Sequence, residues 1–156
     1  MKAETVARPI EILLVEDNQG DVRLTREALK EGKVLNTLHV ARDGVEGLAF
    51  LRHEGKYAQE PHPDIILLDL NLPRMDGHEL LGIIKADPTL RRIPVVILTT
   101  SKSDEDILKT YDLHANCFIT KPVEFDQFMN MIRSMEEFWF TIVKLPPDGV
   151  KKAHPQ

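Results

Sequence analysis

The chain has 156 residues, of which 42% are hydrophobic, and its formal net charge is −5. This length and composition predict one folded domain with a hydrophobic core rather than a disordered chain. The negative charge, with Lys and Arg scattered along the sequence, argues against nucleic acid as the main partner, because phosphate binding requires a clustered positive surface.

The sequence contains no pattern typical of secretion or membrane insertion. The first nine residues lack a signal-peptide pattern, and no stretch approaches the ~20 apolar residues that a membrane span requires. The single cysteine, Cys117, excludes an internal disulfide and fits a reducing compartment. We therefore predict a cytoplasmic protein without membrane contact, with an N-terminal tail over residues 1–9.

Short apolar runs alternate with amphipathic segments along the chain. In chain order we predict a strand at 10–15, a helix at 22–30, a weaker strand at 38–41, a helix at 45–52, a strand at 65–70, a helix at 78–85, a strand at 95–99, a helix at 105–113, a short strand around Phe118 and Ile119, and a long helix at 125–143. Unbroken aliphatic runs are typical of strands buried on both faces of a parallel sheet. The pattern predicts an α/β domain: a doubly wound five-stranded parallel sheet with five helices, the last one extended.

Charged and hydroxyl side chains that could take part in catalysis or metal binding lie at the ends of the predicted strands. Glu16 and Asp17 come after the first strand and Asp69 lies at the end of the third. Thr99 ends the fourth strand and Lys121 follows the fifth. Ligands bind at the carboxyl ends of the strands in such sheets, so we expect these five side chains to converge at one edge.

The predicted cluster combines three carboxylates, one ammonium group and one hydroxyl. Crowded carboxylates repel one another unless a cation neutralises them, and Mg²⁺ prefers carboxylates, water and phosphate oxygens. The set suits a carboxylate nucleophile whose phosphorylated form is held by metal, ammonium and hydroxyl together. Each residue also has a plainer interpretation: Asp69 as a turn residue, Glu16 and Asp17 as charges at a helix N-terminus, Thr99 as a β-branched strand residue.

These motifs resemble the receiver domain of two-component response regulators. The acidic pair after the first strand matches that family, and residues 69–77 match its phosphorylation loop through the spacing DxxxPxxDG. Thr99 and the pair Lys121-Pro122 occupy the family's positions after the fourth and fifth strands. The resemblance covers roughly residues 10–132 and implies a flavodoxin-like receiver fold.

The resemblance also implies a role for each site residue. Asp69 would be the phosphoacceptor. Asp17 and Asp69 would bind Mg²⁺ directly, together with the backbone carbonyl of Asn71. Glu16 would hold a metal-bound water or reach the ion itself.

Three further positions would serve the phosphorylated state. Lys121 would pair with phosphoryl oxygens, and its peptide bond to Pro122 is cis in the family. Thr99 would move to hydrogen-bond the phosphoryl group. Phe118 occupies the family's rotating aromatic position, where many members have tyrosine; plain core packing is the alternative for this residue.

A closer resemblance is to the small single-domain receivers that partner phytochrome histidine kinases in bacteria. It rests on the sequence DNQGD at 17–21, the polar insert at 53–63 and the aromatic and proline-bearing tail. The resemblance implies a histidine kinase as partner, with a bacterial phytochrome as the candidate. The six histidines show no ligand spacing, and we interpret them as surface residues.

Three other functions are disfavoured. Haloacid-dehalogenase-like phosphatases use a similar residue set, but they place the acidic pair late and need a general acid where this chain has Asn71. A DNA-binding regulator would need a further domain, and only 34 residues follow Pro122. A nucleotide-binding protein would need a Gly-rich phosphate loop, which the sequence lacks. We therefore predict a phosphoacceptor that assists its own phosphorylation and dephosphorylation, not an enzyme.

The last predicted helix has more apolar residues than one face can bury. Phe138, Trp139 and Phe140 are consecutive, so they point in different directions. A second apolar face usually marks an interface, which predicts a homodimer through this helix. The alternative is a tail that folds back on its own domain. We predict a receiver domain at 10–144 and a C-terminal tail at 145–156.

Overall fold

The computed structural model describes residues 9–31, 35–99 and 117–133. Five parallel strands form one sheet in the order β2-β1-β3-β4-β5. The strands are β1 (Ile10–Val15), β2 (Asn36–Ala41), β3 (Ile65–Asp69), β4 (Val95–Thr99) and β5 (Cys117–Thr120). The helices are α1 (Gln19–Lys30), α2 (Gly44–Leu51), α3 (Gly77–Ala86) and α4 (Phe125–Arg133), with a 3-10 turn at Gly55–Tyr57.

The predicted α/β architecture is confirmed. Of the five predicted helices, the one at 105–113 lies outside the described residues, as does the part of the last helix beyond residue 133. Helix α1 begins three residues before the predicted start at 22. The reason is its cap: the Asn18 side chain accepts a hydrogen bond from the Asp21 backbone N–H at 2.9 Å.

The sheet has a hydrophobic core on each face. Ile12 and Leu14 of β1 are fully buried in one core, which includes residues of α1 and α4. Leu13 and Val15 are equally buried in the other core, which includes residues of α2 and α3. Successive strand residues alternate between faces, so two covered faces require an unbroken apolar run.

Gly77 allows the loop after β3 to close tightly. A Cβ at this position would lie 2.4 Å from the Asp69 carbonyl oxygen and 2.6 Å from Leu70 Cα. The Gly77 N–H donates to the Leu70 carbonyl at 2.9 Å, and the Gly44 N–H of α2 donates to the Met75 carbonyl at 3.0 Å. The loop that follows Asp69 is thereby fixed to the end of β3 and to α2.

Candidate functional site

The carboxyl edge of the sheet brings the predicted acidic residues together. Glu16 and Asp17 follow β1, and Asp69 ends the neighbouring strand β3. One carboxylate oxygen of each of the three lies within 4.8 Å of the others. Glu16 and Asp69 are 1% and 5% exposed, whereas Asp17 faces solvent. The expected cluster of three carboxylates is therefore present at this edge.

Lys121 directly follows β5, and its ammonium group lies within the acidic cluster. Its Nζ lies 3.0 Å from Glu16 Oε1, 3.0 Å from Asp21 Oδ2 and 3.3 Å from Asp69 Oδ2. An ammonium group has three N–H donors, so each carboxylate can receive one. Burial alone would lower the pKa of Lys121, but hydrogen bonds to Glu16 and Asp21 and the charges of Asp69 and Glu16 outweigh it and raise the pKa above its ordinary value.

Lys121 precedes a cis peptide bond. The Lys121–Pro122 bond is the cis peptide bond of the described chain, as the family resemblance implied.

The surroundings of Glu16 disfavour the ionised form of its carboxyl group. Its pKa is raised to about 7: burial is the largest cause, a hydrogen bond with Asp69 and the charge of Asp69 also raise it, and Lys121 partly opposes them. The difference from the ordinary value of 4.5 corresponds to roughly 3 kcal/mol against the ionised form. One ammonium group therefore does not fully compensate the buried carboxylates, and the donor set fits a divalent cation.

Backbone groups hold two of the carboxylates in place. Glu16 Oε2 accepts from the Asn18 N–H at 3.2 Å, and Asp69 Oδ1 accepts from the Asn71 N–H at 3.2 Å. Asn71 is exposed and lines, with Asp17 and Pro73, a cleft of about 470 Å³. Solvent and small solutes can reach the Asp17 carboxylate from this side.

The two predicted switch residues lie on neighbouring strands. Phe118 of β5 is half-buried and packs against the core beneath α2 and α3, in register with Ile97 of β4. Thr99 ends β4, and its side chain lies outside what the structure describes. The predicted interface residues Phe138, Trp139 and Phe140 also lie outside the described residues.

Asp21 is a site residue that the sequence motifs did not predict. It lies in the first turn of α1, and its side chain remains one-third exposed while it binds Lys121. Two features of the sequence are consistent with this role. Asp21 lies at the capped start of a helix directly after the acidic pair, and the Lys121 ammonium group has three N–H donors, one more than Glu16 and Asp69 use. Neither fixes the direction of the side chain without the helix axis.

Within the described part of the chain, no helix combines the length and apolar character that a membrane span requires. The cytoplasmic location expected from the sequence stays a prediction.

Comparison with known proteins gives one consistent answer. The family model described as the response regulator receiver domain matches residues 12–133. The response regulator Rcp1 of Synechocystis is 46% identical over 138 residues, covering 88% of this chain and 94% of the relative.

Two solved structures are similar in fold as well as sequence. The phosphorylated cyanobacterial phytochrome response regulator RcpA is 51% identical, with a TM-score of 0.71 over 86% of this chain and 96% of that one. The Mn²⁺-bound form of Rcp1 is 46% identical, with a TM-score of 0.70 over 88% and 99% of the two chains.

Proposed function

The chain belongs to the response regulator receiver family, and from this premise we propose that Asp69 accepts a phosphoryl group from a histidine kinase, with Mg²⁺ bound beside it. The observation that carries the proposal is the approach of Glu16, Asp17 and Asp69 within 4.8 Å, with the Lys121 ammonium 3.3 Å from Asp69. The phosphorylated form would signal through contact with another protein.

Asp69 is the best-suited nucleophile of the cluster. Its carboxylate is buried at the end of β3, and one oxygen is held by the Asn71 N–H while the other faces Lys121. In the transfer, a carboxylate oxygen forms the new O–P bond as the N–P bond of the donor phosphohistidine breaks, and the departing imidazole takes up a proton. Lys121 would exchange its Asp69 contact for a phosphoryl oxygen.

The metal ligands would be Glu16, directly or through water, Asp17, Asp69 and the backbone carbonyl of Asn71. The bound cation would supply charge neutralisation for the oxygens of the transferring phosphoryl group. The choice of Mg²⁺ rests on the all-oxygen donor set. The Mn²⁺-bound form of the similar Rcp1 supports a divalent cation in such a receiver.

Thr99 and Phe118 would transmit the signal from the phosphoryl group to the protein surface. The Thr99 hydroxyl would bind the phosphoryl group, and Phe118 would turn further towards the core against which it packs. Phe118 is half-buried, so an inward turn would bury more of its ring. Because Phe118 has no hydroxyl, its inward position would depend on packing alone.

A bacterial phytochrome is the proposed kinase, because RcpA is a cyanobacterial phytochrome response regulator. The proposed functional unit is the receiver domain at 10–144, with a homodimer formed by its C-terminal helix through Phe138, Trp139 and Phe140. The excess of apolar residues in that helix supports the dimer.

The proposal places the chain among signalling receivers rather than hydrolytic enzymes. Position 71 holds Asn, which cannot act as the general acid of a related phosphatase. Any assistance that the site gives to its own phosphorylation and dephosphorylation would come from Lys121 and the metal ligands.

Incubation with acetyl phosphate and Mg²⁺ tests the proposal. Intact-protein mass measurement should show one added phosphoryl group, which EDTA prevents and which Asp69→Asn does not acquire. Asp76→Asn is the matched control: Asp76 lies in the same loop and caps α3, and Asn can also cap a helix. Equal labelling of Asp69→Asn and the parent would refute the assignment.

A further inference from the structure

We propose that His53 and His62 form a binding site for a divalent transition metal such as Zn²⁺, separate from the acidic cluster. Their Nε2 atoms lie 3.3 Å apart, and the rings stand at 89° with centroids 4.5 Å apart. His62 is exposed and His53 half-buried, so a metal can approach from solvent. This inference does not rest on the proposed function.

The spacing of the two nitrogens matches that of two ligands on one metal. Zn–N bonds of about 2.0–2.1 Å at a tetrahedral angle separate the nitrogens by roughly 3.3–3.4 Å. The separation of the two nitrogens therefore needs almost no change, but the rings must turn so that both Nε2 lone pairs point at the metal. In the metal-free protein one Nε2–H can donate to the other Nε2; moving that proton to Nδ1 frees both Nε2 lone pairs.

His53 lies at the C-terminal end of α2, where the backbone turns out of the helix. The Glu54 N–H donates to the Ala49 carbonyl at 2.9 Å and the His53 N–H to the Phe50 carbonyl at 3.2 Å, a Schellman closure of α2. Residue 53 therefore has φ 57°, the left-handed conformation that glycine usually supplies here. Glycine would suit this backbone position as well, so the cap does not depend on the imidazole, which lies against a second histidine.

The insert between the histidines is anchored to the domain. Tyr57 packs on Phe50 of α2 with ring centroids 5.4 Å apart, and its hydroxyl donates to Glu46 Oε1 at 3.4 Å. These contacts bring the chain back so that His62 meets His53 before β3 begins. Because the pair is held in place by the fold, chelation would require little further ordering.

The donor chemistry separates this site from the acidic cluster. Imidazole nitrogens suit Zn²⁺, Ni²⁺ and Cu²⁺, whereas carboxylate and carbonyl oxygens suit Mg²⁺. Water would complete the coordination, because among the described residues no third His, Cys, Asp or Glu ligand atom forms a group with this pair. The bound metal would join the end of α2 to the segment before β3.

Two variants test the site, with excess Mg²⁺ present to compete with Zn²⁺ for the acidic cluster. His62→Gln should weaken Zn²⁺ binding in calorimetric titration by at least about tenfold, since even outer-shell changes alter metal affinity by roughly 10–100-fold. His53→Gly should do the same, yet without zinc it should be as stable as the parent or more so, because glycine suits the left-handed cap. His154→Gln, a change in the C-terminal tail, is the control and should bind as the parent does.

Nitrogen NMR of the parent protein gives a test that needs no variant. Added Zn²⁺ should shift the Nε2 resonances of His53 and His62 together. Zinc affinity unchanged in both His62→Gln and His53→Gly, or zinc-induced shifts confined to other histidines, would overturn the proposal.

Discussion

Replacing Lys121 by methionine should destabilise the metal-free protein. Methionine keeps the length of the side chain but removes the ammonium group that Glu16, Asp21 and Asp69 share at 3.0, 3.0 and 3.3 Å. Lys121 is only 13% exposed, and Glu16 is 1% exposed. The carboxylates would keep their burial and lose their counter-ion.

The magnitude follows from burial and protonation. Removing one partner of a buried ion pair costs about 3–5 kcal/mol. Glu16 can relieve part of this, because its pKa is already raised to about 7 and it can take up a proton. We expect the free energy of unfolding to fall by about 2 kcal/mol near pH 6 and by about 3–4 kcal/mol near pH 8, because each pH unit above the Glu16 pKa of about 7 adds about 1.4 kcal/mol to the cost of protonation.

The direction of the pH effect follows from proton linkage. Glu16 has a higher pKa in the folded protein than the 4.5 of the free side chain, so the native state binds more protons between those values and stability falls as pH rises through them. Without Lys121 the folded pKa of Glu16 rises further, and the fall continues above pH 7. Lys121 has a raised pKa, so its stabilisation is fully present below 10.5 and does not vary across this range.

Urea unfolding in EDTA near pH 6 and pH 8 measures the effect. Lys30→Met is the control, because Lys30 is exposed at the end of α1 and its loss should change stability by less than about 0.5 kcal/mol. Added Mg²⁺ should stabilise Lys121→Met more than the parent. A Lys121→Met protein within 0.5 kcal/mol of the parent at both pH values, a margin of about the surface-mutation scatter, would refute the electrostatic account.

Three other changes test the remaining parts of the site and the proposed dimer. Asp17→Asn should weaken Mg²⁺ binding and reduce the rise in melting temperature that Mg²⁺ produces in the parent; an equal rise would exclude Asp17 as a ligand. Gly77→Ala should lower stability by about 1–3 kcal/mol in urea unfolding, because its Cβ would meet backbone atoms at 2.4 and 2.6 Å, and a neutral result would contradict the tight loop. Phe138→Ala combined with Phe140→Ala should convert a dimer to a monomer in analytical ultracentrifugation, whereas a parent that is monomeric at tens of micromolar would favour the intramolecular tail.

The sequence predicts the architecture well because the strands are buried on both faces. Ile12, Leu13 and the two residues after them form an unbroken apolar run, and such runs are typical of parallel strands. The topology rule then places Asp69 and Lys121 at one edge without any knowledge of side-chain direction. Strand order alone is therefore enough to place these two residues at the site.

Features that depend on local backbone geometry are not predictable in this way. Asp21 reaches Lys121 only because the Asn18 cap starts α1 early and sets the helix rotation. His53 meets His62 through a left-handed helix end and an anchored insert, although the two are nine residues apart. Spacing rules for metal ligands do not contain that information.

The most direct test of the central claim is to identify the residue that carries the phosphoryl group. Borohydride reduces an aspartyl phosphate to homoserine, which peptide mass spectrometry can locate after labelling with acetyl phosphate and Mg²⁺. The account predicts homoserine at position 69 and at no other aspartate, with its formation abolished by EDTA. Homoserine at Asp17 or at another aspartate, or a phosphoryl group on a serine, threonine or histidine, would contradict it.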